Sequence, residues 1–155
     1  MTTACTAFLR RVESGELHGV TSVVILAEVA HRLMVLDAIR TFSFPARTAV
    51  KQLKEHPELV RQLSLYKVAT ERVFAFNIRV ESVTATHLRT AQQFSTDHGL
   101  LTNDSLTAAF MQSQSVMDLA SNDPDFLTIP GFSVWRPQVS LEASTNGEPE
   151  EPDKL

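Results

Sequence analysis

Three acids stand out in this chain because of the residues around them. Glu28 lies inside VVILAEVAHRLM, an apolar stretch with helical spacing. A carboxylate buried in such a stretch must be paired, hydrogen-bonded or bound to a metal. Arg32 at i+4 and His31 at i+3 offer the plain alternative, an ion pair along one helix face. Asp104 lies in LLTNDSLTAAFM, at the start of a helical pattern. The helix dipole alone favours an acid there by about 0.3–1 kcal/mol. Asp123 lies in MDLASNDPDF, directly after a strand-like run, where a parallel sheet presents ligand-binding groups. An Asp-Pro turn accounts for it equally well, and Asp125 competes as a second acid.

Other chemistries find less support. Glu28-x-x-His31 matches half of a di-iron bundle motif, but there is no second Glu-x-x-His. His56, His87 and His98 show no metal-ligand spacing, and the single Cys5 excludes an internal disulfide and a Cys-built zinc site. Ser14 and Ser113 lack the strand-elbow setting of a hydrolase serine, and no Gly-rich phosphate loop occurs. Arg47, Lys51 and Lys54 form a basic stripe on one helix face. Such a stripe is usually just solvated, but it can also meet a phosphate backbone.

The elements that must position the acids follow from periodicity. Phe8, Leu9 and Val12 predict a helix over Thr6 to Ser14, and Gly19 to Thr21 a short strand. Ser22 is a natural N-cap for a largely buried helix from Val23 to Ile39. Phe44-Pro45 opens a helix to about Lys54, and a long amphipathic helix is expected from Glu58 to Phe76. Asn77 to Val83 alternates as a strand, and Thr84 caps a helix to about Asp97 that Gly99 closes. Thr102 or Asn103 caps Asp104 to Gln114, and Val116 to Ala120 and Ser133 to Trp135 are strands. Strands separated by helices predict an α/β fold with a parallel sheet covered on both faces.

Composition agrees with a globular domain of 155 residues, 43% hydrophobic and 21% charged. The net charge of −4 is unevenly placed. Residues 137–155 hold Glu142, Glu148, Glu150, Glu151 and Asp153 against Lys154, so this tail alone carries −4. Residues 1–136 keep 13 basic and 13 acidic side chains and are neutral, so no overall basic field attracts nucleic acid. The expected organisation is a folded domain over 1–136 and a disordered acidic tail over 137–155. The longest apolar run, Val23 to Ala30, is interrupted by Glu28 and too short to cross a bilayer. Met1-Thr-Thr-Ala-Cys shows no signal-peptide pattern, so a cytoplasmic, reducing location is expected.

Together, TSVVILAEVAHRLM, LLTNDSLTAAFM and ASNDPDFLTIPGFSVWRP resemble the PIN-domain family, in particular VapC-type toxin ribonucleases. The resemblance spans roughly Ala4 to Pro137. It implies a three-layer α/β/α sandwich whose acidic pocket maps onto Glu28, Asp104 and Asp123 as catalytic and metal-binding residues, with Asp125 as a further ligand. Thr21, Ser22 and Asn122 match polar pocket positions that hold a water or a phosphate oxygen. The implied cofactor is Mg²⁺ or Mn²⁺, the substrate RNA and the partner a cognate antitoxin. Pairing of two copies is also implied, with the apolar residues from Tyr66 to Phe76 serving either as interface or as core. Magnesium prefers oxygen ligands and keeps several waters. When bound, it acidifies a water for attack on a phosphodiester and neutralises charge in the transition state.

The chain departs from that pattern at its start. The family begins with an apolar strand ending in a metal-binding Asp, whereas here no acid precedes Glu13 and no strand precedes Thr6. The expectation is therefore an N-terminally truncated PIN-like fold. Such a chain would show little or no Mg²⁺-dependent cleavage until a strand ending in Asp is restored. Its alternative role is that of a catalytically impaired module that only binds RNA or an antitoxin.

Overall fold

The computed structural model describes residues 3–137. The expected acidic tail lies outside the described residues, apart from Pro137. The chain builds α1 (Thr3–Glu13), β1 (Gly19–Ser22) and α2 (Val23–Phe42), then α3 (Ala49–Glu55), α4 (Pro57–Val60) and α5 (Leu65–Ala75). After β2 (Ile78–Glu81) come α6 (Ala85–His98), α7 (Thr102–Ser113), β3 (Asp118–Ala120), a 3-10 turn at Pro124–Thr128, and β4 (Ser133–Trp135). This is an α/β fold of parallel strands between helices, in the three-layer α/β/α order.

The strands run parallel but do not form one continuous sheet. β1 pairs with β2, Gly19 opposite Ile78 and Ser22 opposite Glu81. β3 pairs separately with β4, Asp118 opposite Ser133 and Ala120 opposite Trp135. The buried residues form two clusters, and only one of them includes strand residues. Ala38 of α2, Leu53 of α3 and Leu63 are buried beside Met34, Phe42, Phe44 and Tyr66, a cluster built from helices and their connections. Leu100, Ala108, Phe126 and Ile129 are buried beside Phe94, Leu119, Phe132 and Val134 at the β3–β4 pair. Gly19 marks a close approach, because a Cβ there would sit 3.1 Å from Ile78 and 3.4 Å from Val12 of α1.

Several boundaries differ from the periodicity. The long helix expected over Glu58–Phe76 is broken between Val60 and Leu65. The cause is tertiary. Asp37 of α2 accepts the backbone N–H groups of Ser64 and Leu65 at 3.0 and 2.9 Å, and Leu63 is inserted into the core. The helix expected from Phe44 begins only at Ala49, after a turn closed by the Thr48 N–H on the Pro45 carbonyl. α2 is less buried than its apolar sequence predicts. Only Leu26 and Ala38 are fully covered, while Val29 and Leu36 are over 40% exposed. α7 starts at Thr102, one residue earlier than a Thr102 cap and two earlier than an Asn103 cap implies, with Leu101 as the cap residue.

Ser105 explains that start. Its hydroxyl, fully buried, bonds the Leu100 and Leu101 carbonyls and the Ser95 hydroxyl. These bonds tie α7 to α6 and to the turn before it, although they meet carbonyls and so leave the first N–H groups of α7 without a side-chain cap. The Ser22 cap holds as expected, its hydroxyl accepting the Ile25 N–H at 3.2 Å. Gly99, at φ 70, ends α6 in the left-handed conformation that glycine adopts without cost.

Candidate metal centre

Asp104 is the third residue of α7, so Ser105 and its bonds set where the carboxylate begins. Asp123 and Asp125 flank Pro124 at the start of the 3-10 turn after β3. Asp123 donates its N–H to the Ser121 hydroxyl and accepts the Asp125 N–H at 3.0 Å, while Phe126 anchors the turn in the core. The Asp-Pro turn and the acidic cluster are therefore one structure. The turn supplies the geometry that brings the acids together.

Asp104, Asp123 and Asp125 each present one carboxylate oxygen, and these oxygens lie within 4.8 Å of one another. Asp104 and Asp123 are half-buried and Asp125 is exposed. Partial burial pushes the Asp104 carboxyl above its ordinary value, and the neighbouring charges of Asp123, Asp125 and Glu28 push it the same way. A hydrogen bond with its own backbone opposes the shift. Three hard oxygen donors under mutual repulsion are a donor set that fits a divalent cation, whose charge relieves that repulsion.

Glu28 reaches this cluster electrostatically but stands outside the three that lie within 4.8 Å. Its Oε1 accepts from Arg32 Nε at 3.0 Å and Nη2 at 2.7 Å. The ion pair weighed from the spacing is thus formed, and both partners are substantially exposed. Thr21 lies on β1 opposite Val80. Ser22 is buried, with its oxygen engaged at the α2 N-terminus that carries Glu28. Asn122 is exposed, and its carbonyl accepts from Arg136 Nη2 at 3.2 Å. Residue type alone does not single out Ser105, Ser121 and Arg136, because Ser105 and Arg136 depend on partners 10 and 14 positions away and Ser121 on a local turn.

His87 and Ser113, each set aside by its sequence setting, meet in the fold. His87 Nε2 lies 2.9 Å from the Ser113 hydroxyl, across a span of 26 residues. The geometry makes it structural. The Thr84 N–H donates to His87 Nδ1 at 2.9 Å, so in the neutral ring the proton sits on Nε2 and points at Ser113. The Ser113 hydroxyl in turn donates to the Phe110 carbonyl. His87 cannot act as a base toward a serine whose proton is directed elsewhere. It fills the role of an N3 acid in a capping box.

Among the described residues no helix is long and apolar enough to cross a membrane. No curated protein and no solved structure matches the chain. The family model of the PIN domain, a family of typically metal-dependent nucleases, matches residues 3–131, and the chain belongs to the PIN domain family.

Proposed function

We propose that this chain is a metal-dependent endoribonuclease of the VapC type, the toxin of a toxin–antitoxin pair acting in the cytoplasm. The observation that carries the reading is the cluster of Asp104, Asp123 and Asp125 oxygens within 4.8 Å on a PIN domain. These three would hold Mg²⁺ or Mn²⁺. Glu28 would join them from the opposite strand pair by leaving Arg32. A bound divalent ion supplies an acidified water and charge neutralisation at the phosphate. Thr21 and Asn122 would contact the RNA backbone, Ser22 would hold the helix bearing Glu28, and Arg136 would add positive charge beside Asn122. A cognate antitoxin and a second copy of the chain are the proposed protein partners.

A second reading is favoured by the separation of the two strand pairs. In it the domain is catalytically impaired and binds only RNA or antitoxin. Cleavage of a structured RNA with Mg²⁺ or Mn²⁺ separates the two. The comparison is between residues 1–155, the same chain extended by an N-terminal apolar strand ending in Asp, and the extended chain carrying Asp104→Asn. The expected result is little cleavage by 1–155, robust cleavage by the extended chain, and loss of at least about 100-fold on Asp104→Asn. Inactivity of the extended chain with either cation would overturn the nuclease reading in favour of the binding module.

A further inference from the structure

The chain is neutral up to residue 136, but its charges are not evenly mixed. Residues 40–76, from the end of α2 through α5, hold seven basic side chains against Glu55, Glu58 and Glu71, a formal charge of +4. The other residues up to 136 hold six basic and ten acidic side chains, a charge of −4. The basic stretch is one piece of the fold, because its helices and connections pack together around Ala38, Leu53 and Leu63. All seven of its cations are exposed.

Stability of the helices accounts for only some of them. Arg40, Lys54 and Arg72 lie in the last turns of α2, α3 and α5, where the helix dipole favours a cation. Lys51 and Lys67 lie in the first turns of α3 and α5, and Arg47 just before α3, where the dipole opposes one. Of the seven, only Lys51 has an ion-pair partner among the described residues, Glu55 at 3.7 Å. Outside this stretch, Arg11, Arg32 and Arg79 are each paired with a carboxylate. Like charges gathered without partners repel one another, and a bound polyanion relieves that repulsion.

We propose that the lobe of residues 40–76 is an RNA-backbone surface, which grips single-stranded RNA by its phosphates at a distance from the clustered acids. The inference deepens the reading above and takes RNA as the ligand from it. The acids repel a phosphate until a cation is bound, so affinity without cation must come from another surface. α2 connects the two places. It carries Glu28 near one end and Arg40 near the other, twelve residues and about 18 Å apart at the helical rise. At about 3.4 Å per phosphate in a stacked strand, that distance is about five phosphates. Phosphate contacts position a strand without reading its bases, so the lobe supplies affinity and not sequence choice.

The test is fluorescence anisotropy of residues 1–155 with a labelled single-stranded RNA of about 16 nucleotides, in EDTA. The parent should bind, with log K falling linearly against log salt. Arg47→Gln, Lys51→Gln and Lys54→Gln together should weaken binding at least about tenfold at about 0.1 M salt and reduce the slope by about 2. These side chains are exposed, so Tm should move by no more than about 3 °C. Arg61→Gln with Lys67→Gln, on a separate part of the lobe, should repeat the effect with a slope change of about 1.4. Asp104→Asn should change affinity less than about threefold, since it only removes a repelling charge. No binding by the parent, or unchanged affinity and slope in both lobe variants, would overturn the proposal, even where cleavage by the extended chain upholds the nuclease reading. Lobe-dependent binding without cleavage by the extended chain would uphold the surface and overturn the nuclease reading alone. RNA binding that appears only on removal of residues 138–155 would overturn the proposal in favour of that segment, of charge −4, as the lobe's occupant.

Discussion

The β3–β4 half and the β1–β2 half of this domain are built alike but deliver chemistry differently. Each has a parallel strand pair, but only β3 and β4 add residues to a buried cluster, while the second cluster lies among α2, α3 and the segment around Leu63. The β3–β4 half brings three acids together through short-range devices: a helix start held by Ser105, and an Asp-Pro-Asp turn pinned by Phe126. The β1–β2 half offers one acid, Glu28, half-exposed and held by Arg32. The difference shows how distance in the fold controls a charged site. Acids anchored by one turn and one helix end can be crowded despite repulsion, because the backbone cannot relax them apart. An acid in the other half takes the nearest cation on its own helix instead.

The most disruptive way to probe this comparison is to empty each core. Phe126→Ala should cost about 3–5 kcal/mol and Leu63→Ala about 2–5 kcal/mol, each lowering Tm by roughly 2–4 °C per kcal/mol. If the halves are only loosely joined, calorimetry of Phe126→Ala should split the transition and leave the residues around Leu63 melting near their original temperature. A single transition in both variants would show that the halves unfold as one unit.

Cation affinity is the next level. Asp123→Ala removes a carboxylate and the turn's acceptor together, so Mn²⁺ affinity by calorimetry should fall by at least about 10–100-fold. Glu28→Gln should cost less, about threefold to tenfold, because what Glu28 gains at the cation is partly offset by the lost pair with Arg32. Equal losses from the two variants would place Glu28 on the same footing as the clustered acids.

Protonation tests the crowding itself. Asp104 holds its proton more tightly in the folded chain than at the ordinary value of 3.8. Its ionised form therefore lowers stability above the raised folded value, and that loss is relieved as pH falls through it, with no further gain below about 3.9. Without cation, Asp104→Asn should raise Tm at pH 7 by on the order of 1–2 °C. With Mn²⁺ the order should reverse, because only the parent chain gains stability from the ion. That gain should shrink as pH is lowered, since protons compete for the same oxygens. An Asp104→Asn variant less stable than its parent in EDTA would argue against repulsion in the cluster.

The smallest effect sharpens the role of Glu28. Arg32→Ala removes an exposed i,i+4 pair and should cost only about 0.2–0.5 kcal/mol in chemical denaturation. If the freed carboxylate then reaches the cation, Mn²⁺ affinity rises. Unchanged affinity would confine Glu28 to its own half of the fold.

Much of this was legible in residue order because the governing interactions are local. Ser22 capping α2, Gly99 closing α6, the strands at Gly19 and Ser133, and the Asp123-Pro124 turn each depend on neighbours within a few positions. Their parallel arrangement followed from the alternation of strands with helices. Long-range contacts decided the rest. Asp37 ends one helix pattern and starts another 27 residues away, which no periodicity over Glu58–Phe76 can announce. Ser105 fixes Asp104 through Ser95 and the Leu100 and Leu101 carbonyls, a role invisible in a serine's type alone. The acids themselves were identifiable one by one, but whether they meet depends on the packing of α7 against the turn after β3. Charge and hydropathy along a chain state what each residue needs. Only the folded backbone decides which partners meet those needs, because repulsion among Asp104, Asp123 and Asp125 is overcome by contacts made elsewhere.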